Sequence, residues 1–327
     1  MIAINGFGRI GRSLLRIAFE RNIKIVAIND IHNIETLAYL FKYDSIYGRF
    51  PGKVEVKKNY LEINGKKIYV FNEKDPLKLP WKDLGVEYVI ESTGIFKDKF
   101  GASLHLKAGA KKVFITTPSV DSDITIVPGV NQDKLKKEHN IISVASCTTN
   151  ALTPILKILN DNFGIVKAMM TTAHAYTNDQ IIHDSGHKKI RRGRAANLNI
   201  IPTFTGASEA VEAVLPELKG KVDGIALRVP VACGSLIDLT AELKKDFDIG
   251  KINQVFEKES KGKFKGILEY SEDELVSSDV IGNSNSVVID GLSTMKKENL
   301  VKVLGWYDNE YGYSNRVFDV INLLKKR

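Results

Sequence analysis

The feature that most constrains this chain lies near its N-terminus. Residues 4 to 11 read INGFGRIG, which sets Gly6, Gly8 and Gly11 in a G-x-G-x-x-G pattern. The short apolar stretch MIAIN precedes it. The stretch GRSLLRIAFER follows, with Leu14, Leu15, Ile17 and Ala18 at helical spacing. A second apolar run, IKIVAIND, ends in Asp30, 19 residues after Gly11. Strand, glycine turn, helix, strand and terminal carboxylate make one βαβ unit suited to a dinucleotide. Gly6 permits the tight turn, Gly8 lets the backbone approach a pyrophosphate, and Gly11 lets the helix pack close to the strand. Backbone N–H groups around Arg9 and Ile10 would hold the anion at the helix start. Asp30 would accept hydrogen bonds from a ribose diol. Its charge repels a 2′-phosphate, so NAD is favoured over NADP.

The same alternation runs through the first half. VEYVIEST, KKVFITTP, ITIVPGV and NIISVAS are apolar runs that end in small or polar residues. Such runs suit buried parallel strands whose C-terminal ends form a binding edge. VEVKKNYLEINGKKIYVF reads as a hairpin turning at Asn64-Gly65. After Cys147 the character changes. GIVKAMMTTAHAYT, IALRVPVACGSLIDLTAEL, NSVVIDG and LVKVLGWYD read as strands of a mixed or antiparallel sheet. Between them, residues 178–200 are polar, charged and irregular, which marks a functional or interface segment. GASEAVEAVLPEL and the tail RVFDVINLLKKR read as helices, the tail amphipathic through Val317, Val320, Ile321 and Leu324. At 327 residues the chain exceeds one ordinary core, and two α/β domains are expected.

Composition narrows the setting. No apolar run reaches the ~18 residues of a membrane span, and the N-terminus lacks a signal-peptide pattern. Two cysteines, Cys147 and Cys233, make no disulfide framework, so a reducing, cytoplasmic setting is expected. A net charge of +8 fits a lysine-rich solvated surface or a field that draws anionic ligands. No motif for DNA or RNA accompanies it.

The chemistry centres on ASCTTN, residues 145–150. Cys147 stands where an apolar run meets the helix-like stretch ALTPILKIL. A helix N-terminus and a nearby histidine both favour a thiolate nucleophile. The histidine candidate is His174, in TTAHAYT near a strand end. Cys233, in VPVACGSL, reads as a small buried hydrophobe. His32, His105, His139, His183 and His187 have surface-like surroundings. His183 and His187 are four apart but lack a third ligand, so no metal site is expected.

These stretches together carry a resemblance. INGFGRIGR, FKYDSIYGRFPG, ESTGIF, ASCTTN, TTAHAYTNDQ, RRGRAA, IIPTFTGAS, RVP and WYDNEYGYS occur in family order from residue 4 to residue 314. The chain resembles the phosphorylating glyceraldehyde-3-phosphate dehydrogenases. The resemblance implies a Rossmann-type NAD-binding domain over 1–146 and an α+β catalytic domain over 147–311. It also implies that a C-terminal helix, 312–327, packs back on the first domain. It makes residues 178–200 the family's S-loop, at a subunit interface of a homotetramer. It implies oxidation of D-glyceraldehyde 3-phosphate to 1,3-bisphosphoglycerate through a Cys147 hemithioacetal and thioester, with His174 as base.

Two anion pockets follow from the same resemblance. Thr177 and Arg228 match the pocket for the substrate phosphate. Ser146, Arg192, Thr205 and Gly206 match the pocket for inorganic phosphate, with Thr148 beside the nucleophile. Arg191 and Arg194 leave the choice of arginine open. Thr93, Gly94 and Thr116 would face the cofactor, and Asn309 would hold the nicotinamide carboxamide. The chain departs from many members at Ala151, where they carry a second cysteine, and at Ser185-Gly186, where strict NAD users commonly have Leu-Pro. Ser185 could reach a 2′-phosphate, so NADP use stays open beside NAD. The competing readings are an erythrose-4-phosphate dehydrogenase and a non-catalytic RNA-binding or scaffold protein.

Overall fold

The computed structural model describes residues 1–325, in two compact units. Positions 326 and 327 of the expected C-terminal helix lie outside the described residues. The first unit holds Met1–Ile126, Asp133–Ala145 and the C-terminal stretch from Ser314. The second holds Val127–Gln132 and Ser146–Tyr313.

The first unit is built on a nine-stranded sheet. Its spatial order is Ile124–Thr125, Ile141–Ser143, Lys112–Ile115, Tyr88–Glu91, Ile2–Asn5, Ile25–Asn29, Lys66–Phe71, Tyr60–Ile63, Val54–Val56. The strands from Ile124–Thr125 to Lys66–Phe71 run parallel, and the last two add antiparallel. The central strands Ile2–Asn5 and Ile25–Asn29 are buried along their whole length, which is why they read as unbroken apolar runs. The hairpin turns at Asn64-Gly65, with φ of 48° and 76°. Both values suit a tight primed turn. Ala3, Ala27 and Val89 pack with Leu79, Trp81 and Val86 on one side of the sheet. The C-terminal helix begins earlier than its sequence pattern suggests, at Tyr311, and runs to Lys325. Within the first unit, Arg21 reaches Asp319 of that helix at 2.8 Å.

The second unit has a seven-stranded mixed sheet. Its order is Ile201–Thr203, Val222–Val229, Ile165–Ala175, Ser235–Leu243, Leu300–Tyr307, Val287–Lys297, Leu268–Ser271. The long stretch read as one strand, 225–243, breaks into two around residues 230–234, where Gly234 takes φ +88°. The helix Cys147–Phe163 buries Leu152, Ile155, Leu156 and Leu159. Gly305 lets that helix lie close to the sheet: a Cβ there would come within 3.0 Å of Ile155 Cδ1. Along Ile165–Ala175, Ala168, Met170, Thr172 and His174 are buried on one face, the period-two pattern of a half-covered strand.

Candidate active site and dinucleotide turn

In the first unit, the glycine turn leaves the strand Ile2–Asn5 and enters the helix Arg9–Glu20. Gly6 takes φ +90°, and a Cβ there would lie 2.6 Å from Thr93 N. A Cβ on Gly11 would lie 2.1 Å from Gly6 O, so the helix fits only without one. Gly8 differs. Its φ is −73°, and a Cβ would meet nothing within 4 Å. Nothing in the chain demands glycine there, whereas a ligand pressed against the backbone would. Gly8 caps the helix without a side-chain hydrogen bond, and no acidic residue sits in the first turn. The N–H groups from Arg9 and Ile10 onward thus open on an anion site in the dipole's favour. These residues fit a pyrophosphate.

Asp30 stands at the end of the next strand. Its Oδ2 accepts the Phe7 N–H at 2.7 Å, and its Oδ1 accepts the His32 N–H at 3.1 Å. Burial works against its ionisation, but hydrogen bonds from His32 and Phe7 outweigh it and hold the carboxyl below its usual range. A fixed carboxylate therefore sits beside the turn. Thr93 and Gly94 follow the strand Tyr88–Glu91. The Thr93 N–H donates to Glu91 Oε1 at 2.7 Å, and Gly94 takes φ +71° with open space at its Cβ position. Thr116 Oγ1 donates to the Glu91 carbonyl at 3.0 Å, which makes it a strand terminator within the chain.

In the second unit, Cys147 is the first residue of its helix. Ser146 is the N-cap, its Oγ accepting the Thr149 N–H at 3.0 Å. Just before it, Ala145 takes φ +55°, a left-handed conformation that costs a non-glycine residue about 1–2 kcal/mol. The turn that delivers Cys147 is thus a strained one. His174 is the last residue but one of its strand and pairs in register with Arg228 on the parallel neighbour. That register decides the site. Cys147 Sγ lies 3.4 Å from His174 Nε2. His174 Nδ1 lies 2.7 Å from the Ala175 carbonyl oxygen and 2.7 Å from Arg228 Nη1.

The charges pull in opposite directions. Burial pushes the Cys147 thiol up, while Arg228, the Thr148 hydroxyl and the N–H groups of Thr148 and Cys147 favour the anion. The sequence expected the helix start to favour a thiolate; here burial is the largest influence and those groups offset it only partly. Burial, then the Arg228 charge, pushes His174 down to about 3. A neutral imidazole is what a proton acceptor needs to be. Arg228 also donates to the Ala175 carbonyl at 2.9 Å, and its buried Nε–H has no partner among the described residues. It keeps a donor in reserve.

The remaining candidates divide. Thr148 turns its hydroxyl to Tyr307 at 3.1 Å, and Thr172 shares that phenol at 2.8 Å. Asn309 accepts from Ser235 Oγ at 2.9 Å, and Ser235 also accepts the Ala175 N–H at 3.0 Å. One serine therefore ties the His174 strand end to Asn309. Arg192 Nε donates to Thr203 Oγ1 at 3.0 Å, and its Nη1 pairs with Asp179. The Thr177 N–H faces Gln180 Oε1 at 3.3 Å. Gly206 is the N-cap of the helix Ala207–Val214, with Thr205 before it, and has no side chain to cap with. Ser185 sits on an exposed loop closed by its N–H on the Gly193 carbonyl at 3.0 Å. Cys233 is buried and donates to Asp308. Tyr307, Ser235 and Asp179 were not singled out from the sequence, although Tyr307 and Asp179 lie inside the quoted stretches WYDNE and TNDQ. His105 was read as surface-like and is instead fully buried.

The comparisons with known proteins agree in both units. Residues 1–99 match the family model described as "Glyceraldehyde 3-phosphate dehydrogenase, NAD binding domain", and residues 146–309 match that of the C-terminal domain. The chain is 55% identical to the glyceraldehyde-3-phosphate dehydrogenase of Thermotoga maritima, over 99% of both chains. It belongs to the glyceraldehyde-3-phosphate dehydrogenase family. It is also 55% identical to the enzyme of Priestia megaterium, over 98% of this chain and 96% of that one. It is 53% identical to glyceraldehyde-3-phosphate dehydrogenase 1 of Bacillus subtilis, over 100% and 98%. As a member of this family the chain is an NAD-dependent oxidoreductase, with a Rossmann NAD-binding domain and the family's C-terminal domain. Among the described residues no helix is long and apolar enough to cross a membrane.

Proposed function

We propose that this chain oxidises D-glyceraldehyde 3-phosphate and captures the acyl group on inorganic phosphate, giving 1,3-bisphosphoglycerate. The observation that carries the reading is the 3.4 Å approach of Cys147 Sγ to His174 Nε2 with Arg228 in register beside them. Residues 1–146 with the C-terminal helix form the NAD-binding half, and residues 147–311 the catalytic half. Cys147 attacks the aldehyde carbon and forms a hemithioacetal. The Cys147 N–H, at the helix start, stabilises the oxyanion as it develops. His174 Nε2 then takes the hemithioacetal hydroxyl proton as the hydride leaves. Bound NAD supplies the hydride acceptor. The resulting Cys147 thioester retains the energy of oxidation, and phosphate attacks it to release the acyl phosphate.

Arg228 and Thr177 hold the substrate phosphate; the unpartnered Arg228 Nε–H supports this. Ser146, Thr148, Arg192, Thr205 and Gly206 surround the attacking phosphate. Asn309 orients the nicotinamide, held in turn by Ser235. Asp30 makes NAD the preferred coenzyme, and Ser185 leaves room for NADP. The working form is a cytoplasmic homotetramer assembled through residues 178–200. Ile182, Ile190, Leu198 and Ile200 stand exposed in that segment, large apolar side chains of the kind that subunit contacts cover.

The test is coenzyme reduction with glyceraldehyde 3-phosphate and with erythrose 4-phosphate, each with NAD and NADP, followed by mass spectrometry of the acylated peptide. A 3-phosphoglyceroyl group on Cys147, and faster reduction of NAD with the triose, is the expected result. Preference for the tetrose, or acylation at another residue, overturns the proposal.

A further inference from the structure

Beneath the dinucleotide turn lies a buried polar network that the reaction described above does not use. Three neighbouring parallel strands of the first unit each end in a buried polar residue: Glu91, Asn5 and Asn29. They stand side by side in register, Asn5 opposite Glu91 on one flank and Asn29 on the other. The next residues in each chain segment are Ser92-Thr93, Gly6 and Asp30, the walls of the turn.

The hydrogen bonds run without a break across the sheet edge. Asn29 exchanges two bonds with the backbone of Glu73, both at 2.9 Å. It donates to Asn5 Oδ1 at 2.7 Å, and Asn5 Nδ2 donates to Glu91 Oε2 at 2.6 Å. His105 Nε2 lies 3.1 Å from the same Glu91 oxygen. Trp81 Nε1 donates to His105 Nδ1 at 3.0 Å. An indole N–H is a donor only, so His105 Nδ1 must accept, and the ring proton sits on Nε2, aimed at Glu91. Asn5 Nδ2 and His105 Nε2 lie 3.3 Å apart because both aim at that one oxygen. The other Glu91 oxygen receives the Thr93 N–H and the Thr93 hydroxyl.

Four donors thus converge on one side chain that is 2% exposed. A carboxylate, which only accepts, satisfies all four; an amide would set one of its own hydrogens against a donor. No lysine or arginine is paired with Glu91 among the described residues, so hydrogen bonds from Asn5, Thr93 and His105 alone hold its carboxyl group. Such a group is held at a cost and is intolerant of change. It also lies where change would be felt. Glu91 fixes Thr93, and the Thr93 amide nitrogen is the atom that a Cβ on Gly6 would strike.

We infer that Glu91, with His105 and Trp81 behind it, is a positioning group that fixes the Thr93-Gly94 segment against the Gly6 turn and so sets the affinity for the dinucleotide. The inference rests on the reading of the Gly6–Asp30 unit as the dinucleotide site. It assigns no part in the chemistry at Cys147.

The experiment measures the NAD dissociation constant of the full-length enzyme by titration, kcat at saturating NAD, and melting temperature, in five forms. These are the wild type, Glu91→Gln, His105→Leu, His105→Gln and Asp30→Ala. A buried donor left facing an amide hydrogen is worth enough to weaken NAD about tenfold in Glu91→Gln. In that variant kcat at saturating NAD stays within about twofold. His105→Leu weakens NAD less, by a few-fold. His105→Gln restores it, because a carboxamide can accept from Trp81 and donate to Glu91. NAD affinity unchanged in Glu91→Gln and His105→Leu, with only the melting temperature lowered, overturns the inference and leaves the network a plain stabilising element. A fall in kcat at unchanged NAD affinity overturns it as well. If Glu91→Gln does not fold, His105→Leu against His105→Gln decides alone. Asp30→Ala separates the two levels. Unchanged NAD affinity there removes the dinucleotide reading itself, whereas weakening there with none in the network variants removes only the positioning role.

Discussion

The two polar sites of this protein are built to opposite rules. At the dinucleotide turn the side chains are committed to one another: Glu91 takes four donors, and Asn5 and Asn29 are bonded on both sides. What the turn offers outward is backbone, at Gly8 and the helix start. At the thiol the commitments are unfinished. His174 Nδ1 lies within reach of both a carbonyl and a guanidinium, and Arg228 keeps a buried N–H in reserve. A cofactor that must bind repeatedly in one pose is served by a surface that does not rearrange. A substrate that brings a phosphate and leaves with another is served by groups whose hydrogen bonds an anion completes.

The comparison breaks most sharply if the thiol is removed. Cys147→Ser should lower phosphorylating activity by roughly 10³-fold or more while NAD still binds, because only the second site loses a member. Retained activity in the serine variant, measured by NADH formation, would remove Cys147 from the chemistry and with it the second half of the comparison. His174→Asn should cost about 10²–10⁴-fold in rate with NAD affinity unchanged.

Arg228→Met sharpens the contrast from the anion side. The KM for the phosphorylated aldehyde should rise about tenfold or more as a charge-assisted contact is lost. Iodoacetamide should also alkylate Cys147 more slowly, since Arg228 favours its anion. An unchanged alkylation rate would mean that the guanidinium does not act on the thiol. Asp30→Ala probes the other site. Removing the carboxylate should improve NADP use relative to NAD by a few-fold, in keeping with the ~1 kcal/mol of repulsion between charges 4 Å apart in water.

The smallest expected effect is on stability against pH. His174 is held near 3 in the fold against 6.5 in the unfolded chain, so the unfolded chain binds the extra proton between these values. Its contribution is complete above about 6.5 and is lost as pH falls toward 3. Melting temperatures of the wild type and His174→Asn should therefore differ in slope across that window, the wild type falling more steeply. Parallel curves would show that His174 takes up its proton as readily in the fold as in the unfolded chain.

The sequence made the first site far more legible than the second. The glycine turn and Asp30 lie within 30 residues, and their reasons are local: steric room at Gly6 and Gly11, open space at Gly8. Cys147 and His174 are 27 residues apart, and the register of one parallel strand pair brings Arg228 to the histidine. No local pattern encodes that register; the resemblance of whole stretches suggested the grouping. Strand breaks were harder still, as at 230–234, where apolar residues continue through a turn. His105, with surface-like surroundings in the sequence, is buried because of its place on a helix face. Gly101, Ala102 and His105 share the buried face of the helix Lys99–Lys107, and spacing of three and four would have found it.

The most direct measurement is rapid-mixing NADH formation with NAD and glyceraldehyde 3-phosphate, with and without inorganic phosphate. A burst of about one NADH per active site that stalls without phosphate, and continuous turnover when phosphate is added, is the expected result. Neither should occur in Cys147→Ser. Continuous turnover without phosphate, or a burst in the serine variant, would contradict a Cys147 thioester that phosphate alone discharges.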